Sequence, residues 1–217
     1  MPTSHPPATA RAAQRKLSKY RAKRDFGITA EPSGREPKGK AKGLAYVIQA
    51  HAARRMHYDF RLELGGVLLS WSVPKGPSLT PTERRLAVHV EDHPLAYASF
   101  EGIIPQGQYG GGTVVVWDRG TWEPEGDAED GMKRGRLTFT LHGAKLRGRW
   151  HLVRTRLDDG KHENWLLFKG RDEFARESGE IVDELPESVV TGRTLDQVAA
   201  DADAVWESNR AGAAPRS

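Results

Sequence analysis

The residues best suited to chemistry are concentrated in one short run, from His51 to Glu63. From His57 onward the residues alternate, so that His57, Asp59 and Arg61 share one parity and apolar residues occupy the other. Successive side chains of a strand point to opposite faces, so this pattern predicts a half-buried strand with its polar groups in a row. Two imidazoles and a carboxylate can bind a metal, and the guanidinium beside them can hold two phosphate oxygens. The alternative is a polar strand face that meets water.

A second alternating run, residues 85–94, is predicted to lie beside the first. Its apolar face is formed by Leu86, Val88 and Val90, and its polar face by Arg85, His89, Glu91 and His93. In adjacent strands, Glu91 and His93 would complete one pocket with the first run. His93 is expected at the rim, because the following proline ends the strand. His89 is expected to be a bystander.

The pocket predicted from these two runs has the parts of a phosphoryl-transfer site. Neutral imidazoles with one carboxylate suit Mn²⁺, Zn²⁺, Fe²⁺ or Co²⁺ better than Mg²⁺ or Ca²⁺, which prefer oxygen ligands. Three protein ligands leave positions open, as a catalytic metal requires. Arg61 cannot ligate a metal but can hold a phosphate. An imidazolium at His93 can donate to a phosphate oxygen or protonate a leaving group.

Composition excludes several classes of site. The 217 residues include no cysteine, so disulfides, thiolate zinc sites and cysteine nucleophiles are excluded. No apolar run approaches the roughly 20 residues of a transmembrane helix, and residues 1–20 lack the apolar stretch of a secretory signal. Residues 1–43 hold 11 Lys/Arg and 3 Asp/Glu, whereas residues 44–217 hold 22 and 26. This basic arm indicates a polyanionic partner, or else a disordered solubilising tail.

The predicted organisation is a basic, largely flexible arm over residues 1–23, a barrel domain over 24–178 and an extension or linker over 179–217. Within the arm and the segment after it, we predict disorder over 1–10, a short basic helix over 11–24 and an irregular segment over 25–42. Strands are predicted at 44–50, 57–64, 67–73, 85–91, 113–118, 120–123, 136–142, 145–155 and 163–169. Helices are predicted at 172–178 and 195–208, and an exposed acidic loop at 123–130.

Tight turns are predicted at Gly65-Gly66, Arg119-Gly120 and Gly143-Ala144. Many short strands without helices between them favour a mainly β fold, a compact closed barrel of about eight strands with a few short flanking helices. The five tryptophans on these strands are expected to be core residues: Trp71, Trp117, Trp122, Trp150 and Trp165.

Three further stretches carry weaker signals. Val73–Ser78 is a rigid turn that presents Lys75. Tyr109–Thr113 is glycine-rich and either approaches a phosphate or simply forms a barrel turn. Lys133–Arg156 holds eight Lys/Arg and no acid, so it is either a hairpin that tracks a nucleic-acid backbone or an ordinary solvated hairpin.

The combined motifs resemble the 3′-phosphoesterase domain of bacterial DNA ligase D. The run His51-x5-His57-x-Asp59-x-Arg61 carries the resemblance with Leu69–Ser78, Arg85–Val88, Val90–Leu95, Tyr97, Phe100–Gly102, Ile104-Pro105, Tyr109-Gly110 and Val116–Gly120. Arg24–Phe26 and Trp165–Lys169 match as well. The resemblance covers residues 24–176, and its central motifs are highly specific.

The resemblance implies a barrel enzyme that cleans 3′ ends during end joining. It implies removal of a 3′-terminal ribonucleoside to leave a 3′-phosphate, followed by hydrolysis of that phosphate to a 3′-hydroxyl. Manganese is the metal implied, with zinc or cobalt as substitutes. The matching metal ligands are His51, His57 and Asp59. The matching active-site residues are Arg61, His93 and Tyr97, with Arg24, Asp25 and Glu31 for the diesterase step, and the supporting residues are Gln49, Lys75, Arg85 and Glu91.

The partners implied by the resemblance are DNA primer–templates with 3′-ribonucleotide or 3′-phosphate ends, the ligase and polymerase modules of ligase D, and Ku. A cytoplasmic, nucleoid-associated monomer without membrane contact is expected. No Lys-x-Asp-Gly ligase motif is present, so we expect a standalone phosphoesterase or an excised domain. Two alternatives remain: a non-catalytic module that binds nucleic-acid ends in a repair complex, and an Fe²⁺ oxygenase with a facial triad.

Overall fold

The computed structural model describes residues 8–34, 43–155 and 163–201. Its strands are β1 Leu44–Ala52, β2 Met56–Leu64, β3 Val67–Val73, β4 Arg85–His89, β5 Gly102–Ile104, β6 Gly112–Pro124, β7 Arg136–Gly143, β8 Arg147–Arg154 and β9 Glu163–Lys169. They form one antiparallel sheet in the order β1-β2-β3-β4-β9-β8-β7-β6, closed by pairing of β6 with β1, while β5 adds to β6. The predicted closed barrel of about eight strands is confirmed.

Short helices flank the barrel. They are α1 Ala8–Lys16, α2 Ser18–Ala22, a 3₁₀-helix Leu95–Ser99, α3 Ala128–Arg134 and α4 Ile181–Glu184, and residues 195–201 are also helical. None of the helices in the described ranges is long and apolar enough to cross a bilayer.

Aromatic side chains dominate the core. All five strand tryptophans are at most 1% exposed, as predicted. Phe60 packs against Trp71 and Phe139, with ring centroids 6.1 and 6.0 Å away. Each buried aromatic ring removes about 150–250 Å² from water. The strands that position the candidate site are therefore held by a rigid interior.

Two of the predicted tight turns are confirmed and one is wrong. Gly65 and Gly66 join β2 to β3 with φ angles of 60° and 80°, and Gly143-Ala144 lies at the connection from β7 to β8. In contrast, β6 runs straight through Arg119-Gly120. A Cβ atom at Gly120 would lie 2.1 Å from the carbonyl oxygen of His142. This glycine allows close approach of β7 and does not make a turn.

The predictions outside the strands have mixed outcomes. The predicted helix over 172–178 is wrong, because those residues form turns and bends. The acidic loop over 123–130 is interrupted by α3, whose N-terminus is capped by the Asp127 side chain accepting from the Asp130 amide at 3.0 Å. The disorder predicted over 1–10 is wrong for residues 8–10, where α1 begins. Residues 11–24 are mostly helical, with a break at Leu17, and 25–34 are irregular as predicted. Predictions for residues 1–7, 35–42 and 202–208 lie outside the described residues.

The N-terminal arm packs against the barrel. Leu17 is 3% exposed and Tyr20 is fully buried, and both belong to the main hydrophobic core. Ile181 and Val182 of α4 join the same core from the other end of the chain. The domain boundaries predicted at residues 23 and 178 remain predictions, but apolar contacts cross both of them.

The predicted faces of β4 are wrong. Trp71 is paired with His89, and Ser72 with Val88, so His89 shares the tryptophan's face and Val88 shares the serine's face. Accordingly Arg85 is buried, whereas Leu86 is 45% exposed. Alternation predicts the reverse orientation, because the apolar residues of a half-buried strand are normally the buried ones.

Candidate metal and phosphate site

The pairing of β1 with β2 brings the predicted metal ligands together. His51 lies directly opposite His57, and Gln49 opposite Asp59, so all four side chains share one face. The imidazole centroids of His51 and His57 are 4.6 Å apart. Asp59 follows His57 by two residues and therefore points the same way. A short hairpin thus builds the three-residue cluster.

The geometry of the three side chains suits one divalent ion. His51 Nδ1 is 3.6 Å from Asp59 Oδ2, and His57 Nε2 is 3.5 Å from Asp59 Oδ1. One ligand atom from each residue lies within 4.8 Å of the others. The remaining ring nitrogens donate to backbone carbonyls, His51 Nε2 to Gly110 at 2.8 Å and His57 Nδ1 to Arg55 at 3.0 Å. These bonds fix the tautomers and leave a lone pair of each ring free for a metal.

Arg61 supplies the charge that keeps Asp59 ionised. Burial alone would raise the pKa of Asp59, but the Arg61 guanidinium, followed by the neighbouring His51 and His57 rings, holds it well below its usual range. For His57, burial lowers the pKa, yet the neighbouring Asp59 carboxylate outweighs burial, so that the pKa of His57 is raised. A carboxylate that stays ionised is what a metal ligand requires.

The Arg61 guanidinium is buried and held on three sides. Its nitrogens donate to Gln49 Oε1 at 2.8 Å, Ser70 Oγ at 2.8 Å and Asp59 Oδ2 at 2.9 Å, and it lies over the Tyr97 ring at 4.8 Å. Gln49 in turn donates from Nε2 to the carbonyls of Tyr97 and Phe100. The guanidinium is therefore fixed beside the metal cluster on the wall of the cleft.

His93 reaches the same face because of an irregularity after β4. The Val90 amide donates to the Ser70 carbonyl, and His93 is bridged to Leu68. Two residues of β3 thus oppose three of the other segment, and the extra residue turns His93 towards Ser70. Its Nδ1 lies 2.9 Å from the Glu91 carbonyl and 3.3 Å from Ser70 Oγ.

The protonation of His93 differs from the prediction. Burial, followed by the charges of Arg61 and Arg24, holds the pKa of His93 well below its usual range. Nδ1 donates to a carbonyl, so Nε2 carries the lone pair and accepts from Arg24 at 3.2 Å. The imidazolium predicted from the sequence is therefore replaced by a neutral ring that accepts a hydrogen bond.

The segment after α2 closes one side of the site. Arg24 donates to Glu31 at 2.7 Å and to Glu91 at 3.3 Å, and its guanidinium stacks on the Tyr20 ring at 4.0 Å. The Tyr97 hydroxyl also donates to Glu31, at 3.0 Å. Although burial would raise it, the pKa of Glu91 is lowered by the hydrogen bond from Lys23 and the charge of Arg24.

Ten of the thirteen predicted site residues meet in or against one cleft of about 800 Å³. Three do not. Asp25 is exposed, and its carboxylate accepts from the Gly27 amide of its own turn. Lys75 is exposed in the turn after β3 and does not line the cleft. Arg85 faces away from Asp59 and is paired with Glu83 and Glu180.

Several residues of the cleft and its walls are not among the thirteen predicted site residues, although Tyr109 and Gly110 lie in the glycine-rich stretch that the sequence singles out. Ser70 links Arg61 to His93, and the Gly110 carbonyl orients His51. Arg54 and Arg55 line the cleft from the turn between β1 and β2, and Tyr109 lines it from the loop before β6. The signal for Ser70 was its position opposite Arg61 in the predicted hairpin across Gly65-Gly66.

Many cations of the basic hairpin are already paired. Arg134 forms an ion pair with Asp130, Arg149 with Glu125 at 2.6 Å, and Arg154 with Glu163 at 2.7 Å. The acids come from neighbouring segments, which counting within residues 133–156 overlooked. Backbone tracking by this hairpin stays a prediction.

Comparison with known proteins places this site in context. The family described as the DNA ligase D 3′-phosphoesterase domain matches residues 49–154. The chain is 56% identical over 182 residues to the multifunctional non-homologous end joining protein LigD of Pseudomonas aeruginosa, covering 82% of this chain and 22% of that protein.

Two mycobacterial relatives that match this chain are also LigD proteins. Identity is 44% over 164 residues to the protein of the same name from Mycolicibacterium smegmatis, covering 73% of this chain and 21% of the relative. It is 45% over 154 residues to the multifunctional non-homologous end joining DNA repair protein LigD of Mycobacterium tuberculosis, covering 71% and 20%. The chain spans about a fifth of the length of these relatives.

Proposed function

Because the chain belongs to the DNA ligase D 3′-phosphoesterase domain family, we propose that it is a metal-dependent phosphoesterase that heals 3′ ends. It removes a 3′-terminal ribonucleoside from a primer strand to leave a 3′-phosphate, and then hydrolyses that phosphate to a 3′-hydroxyl. The process it serves is end joining of broken DNA, the process named in its relatives.

The observation that carries this proposal is the convergence on one face of a metal-ligand cluster and a fixed cation. His51, His57 and Asp59 present three ligand atoms within 4.8 Å of one another, and Arg61 lies 2.9 Å from Asp59. A divalent ion held by these three side chains would supply Lewis acidity at the phosphate. Manganese fits two imidazoles and one carboxylate, and zinc or cobalt would be accepted by the same ligands.

The protein's own groups orient and neutralise the phosphate. Arg61 cannot lose its proton and stands ready for phosphate oxygens at the rim of the metal cluster. His93 is neutral with its lone pair on Nε2, so it can accept a proton from the attacking group and return that proton to the leaving oxygen. Arg24 bonds to the same nitrogen and can exchange that bond for a phosphate oxygen when substrate enters.

A 3′-ribonucleotide-tipped primer–template tests the proposal directly. Release of the nucleoside and then of inorganic phosphate should require Mn²⁺ and should be lost in His57→Ala. The variant should still bind the primer–template. Absence of release by the wild type with Mn²⁺, Zn²⁺ and Co²⁺ would contradict the proposal.

Two other functions make different predictions. A non-catalytic module that binds DNA ends, which the basic N-terminal arm favours, would bind primers yet release nothing with any metal. An Fe²⁺ oxygenase would need 2-oxoglutarate and would release no phosphate; the guanidinium of Arg61 beside Asp59 argues for phosphate instead. We further propose Ku and the ligase and polymerase modules of ligase D as partners, a monomeric state, and a cytoplasmic location at the nucleoid.

A further inference from the structure

Tyr109 is an exposed aromatic residue beside the metal cluster. Its side chain is 47% exposed and lines the cleft from the glycine-rich loop before β6. The next residue, Gly110, accepts the hydrogen bond that fixes the His51 ring. Tyr109 therefore lies one residue from a contact to a predicted metal ligand. Its ring remains exposed there, although large aromatic side chains are more often buried.

The cations that hold Tyr109 are already neutralised. Lys23 Nζ lies 3.0 Å from its hydroxyl and 4.4 Å from its ring centroid, and the Arg24 guanidinium lies 5.4 Å from that centroid. Lys23 is paired with Glu91, and Arg24 with both Glu31 and Glu91. This side of the cleft therefore offers an aromatic ring and little free positive charge.

The other side of His51 has the opposite character. Arg54 and Arg55 lie in the turn that joins β1 to β2, whereas the Tyr109 loop enters β6, which pairs with β1 on its other edge. Both arginines are exposed and line the cleft, and neither has a carboxylate partner among residues 8–34, 43–155 and 163–201. Unpaired guanidinium groups of this kind suit the phosphates of a nucleic-acid strand.

The two products of the diesterase step also differ in charge, as the two sides of the cleft do. The retained strand carries every remaining phosphate, while the leaving nucleoside carries a sugar and a base and no phosphate. We propose that Tyr109 is a stacking platform for the base of the leaving 3′-terminal nucleoside, with Arg54 and Arg55 on the phosphates of the retained strand. This subsite rests on the proposed function, because only a diester substrate has a base in that position.

Base stacking on an aromatic ring is tolerant of sequence, since every base has a π-face. The subsite would therefore accept any terminal nucleoside and would favour a nucleoside over a bare sugar. A structural role for Tyr109, in which its hydroxyl only props the loop against Lys23, makes the contrary prediction that the hydroxyl and not the ring matters.

A double-mutant cycle between Tyr109 and the base separates these roles. Primers ending in a ribonucleoside or in an abasic ribose are compared by kcat/KM for wild type, Tyr109→Ala and Tyr109→Phe. The wild type and Tyr109→Phe should prefer the base roughly 5- to 150-fold, the equivalent of stacking one base, and Tyr109→Ala should lose that preference. Phe174→Ala removes an aromatic ring of similar exposure outside the cleft and should keep it.

Retention of the preference by Tyr109→Ala overturns the subsite. So does a loss in Tyr109→Phe equal to that in Tyr109→Ala, because the hydroxyl would then carry the effect.

Photocrosslinking tests the same contact without catalysis. Full-length protein with EDTA is irradiated on primer–templates that carry 5-iodouracil in either the terminal or the penultimate nucleotide, and the adducts are mapped by mass spectrometry. A Tyr109 adduct from the terminal position supports the subsite, even if the wild type proves unable to release phosphate and the proposed function fails. An adduct from the penultimate position alone, or no Tyr109 adduct, overturns it.

Discussion

His89 and His93 lie four residues apart in the chain and have opposite surroundings. His89 stacks on Trp71 with ring centroids 5.2 Å apart, and its Nδ1 lies 2.7 Å from Glu163. His93 instead contacts Ser70 and Arg24 in the cleft and is 4% exposed. One ring belongs to the barrel interior, and the other belongs to the candidate site.

The difference comes from one extra residue and not from the residue type. One residue, Leu69, lies between Ser70 and Leu68 on β3, whereas two residues lie between Val90 and His93 on the opposite segment. A bulge of this kind reverses the face of every residue after it. The bulge therefore turns the His93 imidazole towards the guanidinium groups of the candidate site. His89, which precedes the bulge, packs against the core instead.

The largest effect is expected from Asp59→Asn, which tests whether the cleft face holds a metal at all. Release of phosphate should fall to background, because the amide removes the charge that draws a divalent ion between the two imidazoles. Mn²⁺ at 100 times its dissociation constant should stabilise the wild type by about 2.7 kcal/mol and the variant by much less. Thermal melts with and without Mn²⁺ measure this.

Glu63→Gln is the matched control for that substitution. Glu63 lies on the same strand and accepts from the Ala45 amide at 2.9 Å, a bond that an amide oxygen can keep. Its melting temperature should still rise with Mn²⁺. If Mn²⁺ raised the melting temperature of Asp59→Asn as much as that of the wild type, metal binding by the His51, His57 and Asp59 cluster would be contradicted.

Replacing His93 or His89 by alanine, one at a time, tests whether the two rings differ in function. His93→Ala should lower phosphate release about 100-fold or more, the usual contribution of a proton-transferring group. His89→Ala should lower the free energy of unfolding by about 1–3 kcal/mol, since it leaves space against Trp71 and removes one of the two side-chain partners of Glu163. Urea unfolding and phosphate release are measured on both variants. Equal losses of activity would show that the two environments do not differ in function.

Ser70→Ala tests the serine hydroxyl that links Arg61 to His93. Its hydroxyl accepts from Arg61 at 2.8 Å and lies 3.3 Å from His93 Nδ1. Loss of a hydrogen bond to a charged group costs about 1.5–3 kcal/mol, so kcat/KM should fall about tenfold or more. Ser72→Ala, two residues along the same face, is the control. A similar decrease in both variants would contradict a specific role for Ser70.

The site strand was predictable because its pattern is local. The alternation from His57 to Arg61 is a property of one strand, and a hairpin brings His51 opposite His57 by register alone. The aromatic core was predictable for the same reason, since large aromatic side chains on strands are usually buried.

The rest depends on contacts that no local pattern contains. The bulge before His93 follows from pairing with β3, so alternation assigned β4 the wrong faces. Gly120 resembles a turn in the sequence, and only the approach of His142 shows that it is a packing glycine. Lys23 meets Tyr109 across 86 residues of chain, a distance over which single-sequence periodicity carries no information.

Glu163→Gln should change stability and activity least of these substitutions. It tests the surroundings of His89, because Glu163 pairs with that ring, and its effect should depend on pH. Burial would raise the pKa of Glu163, but hydrogen bonds from Arg154 and His89 lower it below 4.5. A carboxyl whose pKa is lower in the folded protein adds stability above its unfolded pKa, and that stability is lost as pH falls through the folded value. The wild type should therefore exceed the variant by no more than about 0.5 kcal/mol at pH 7, since the pair is partly exposed, and the gap should close on acidification below pH 4.5. Urea unfolding across this range measures the gap, and phosphate release should stay within twofold. A loss of activity as large as in His93→Ala would mean that the His89 side of the barrel also serves the chemistry.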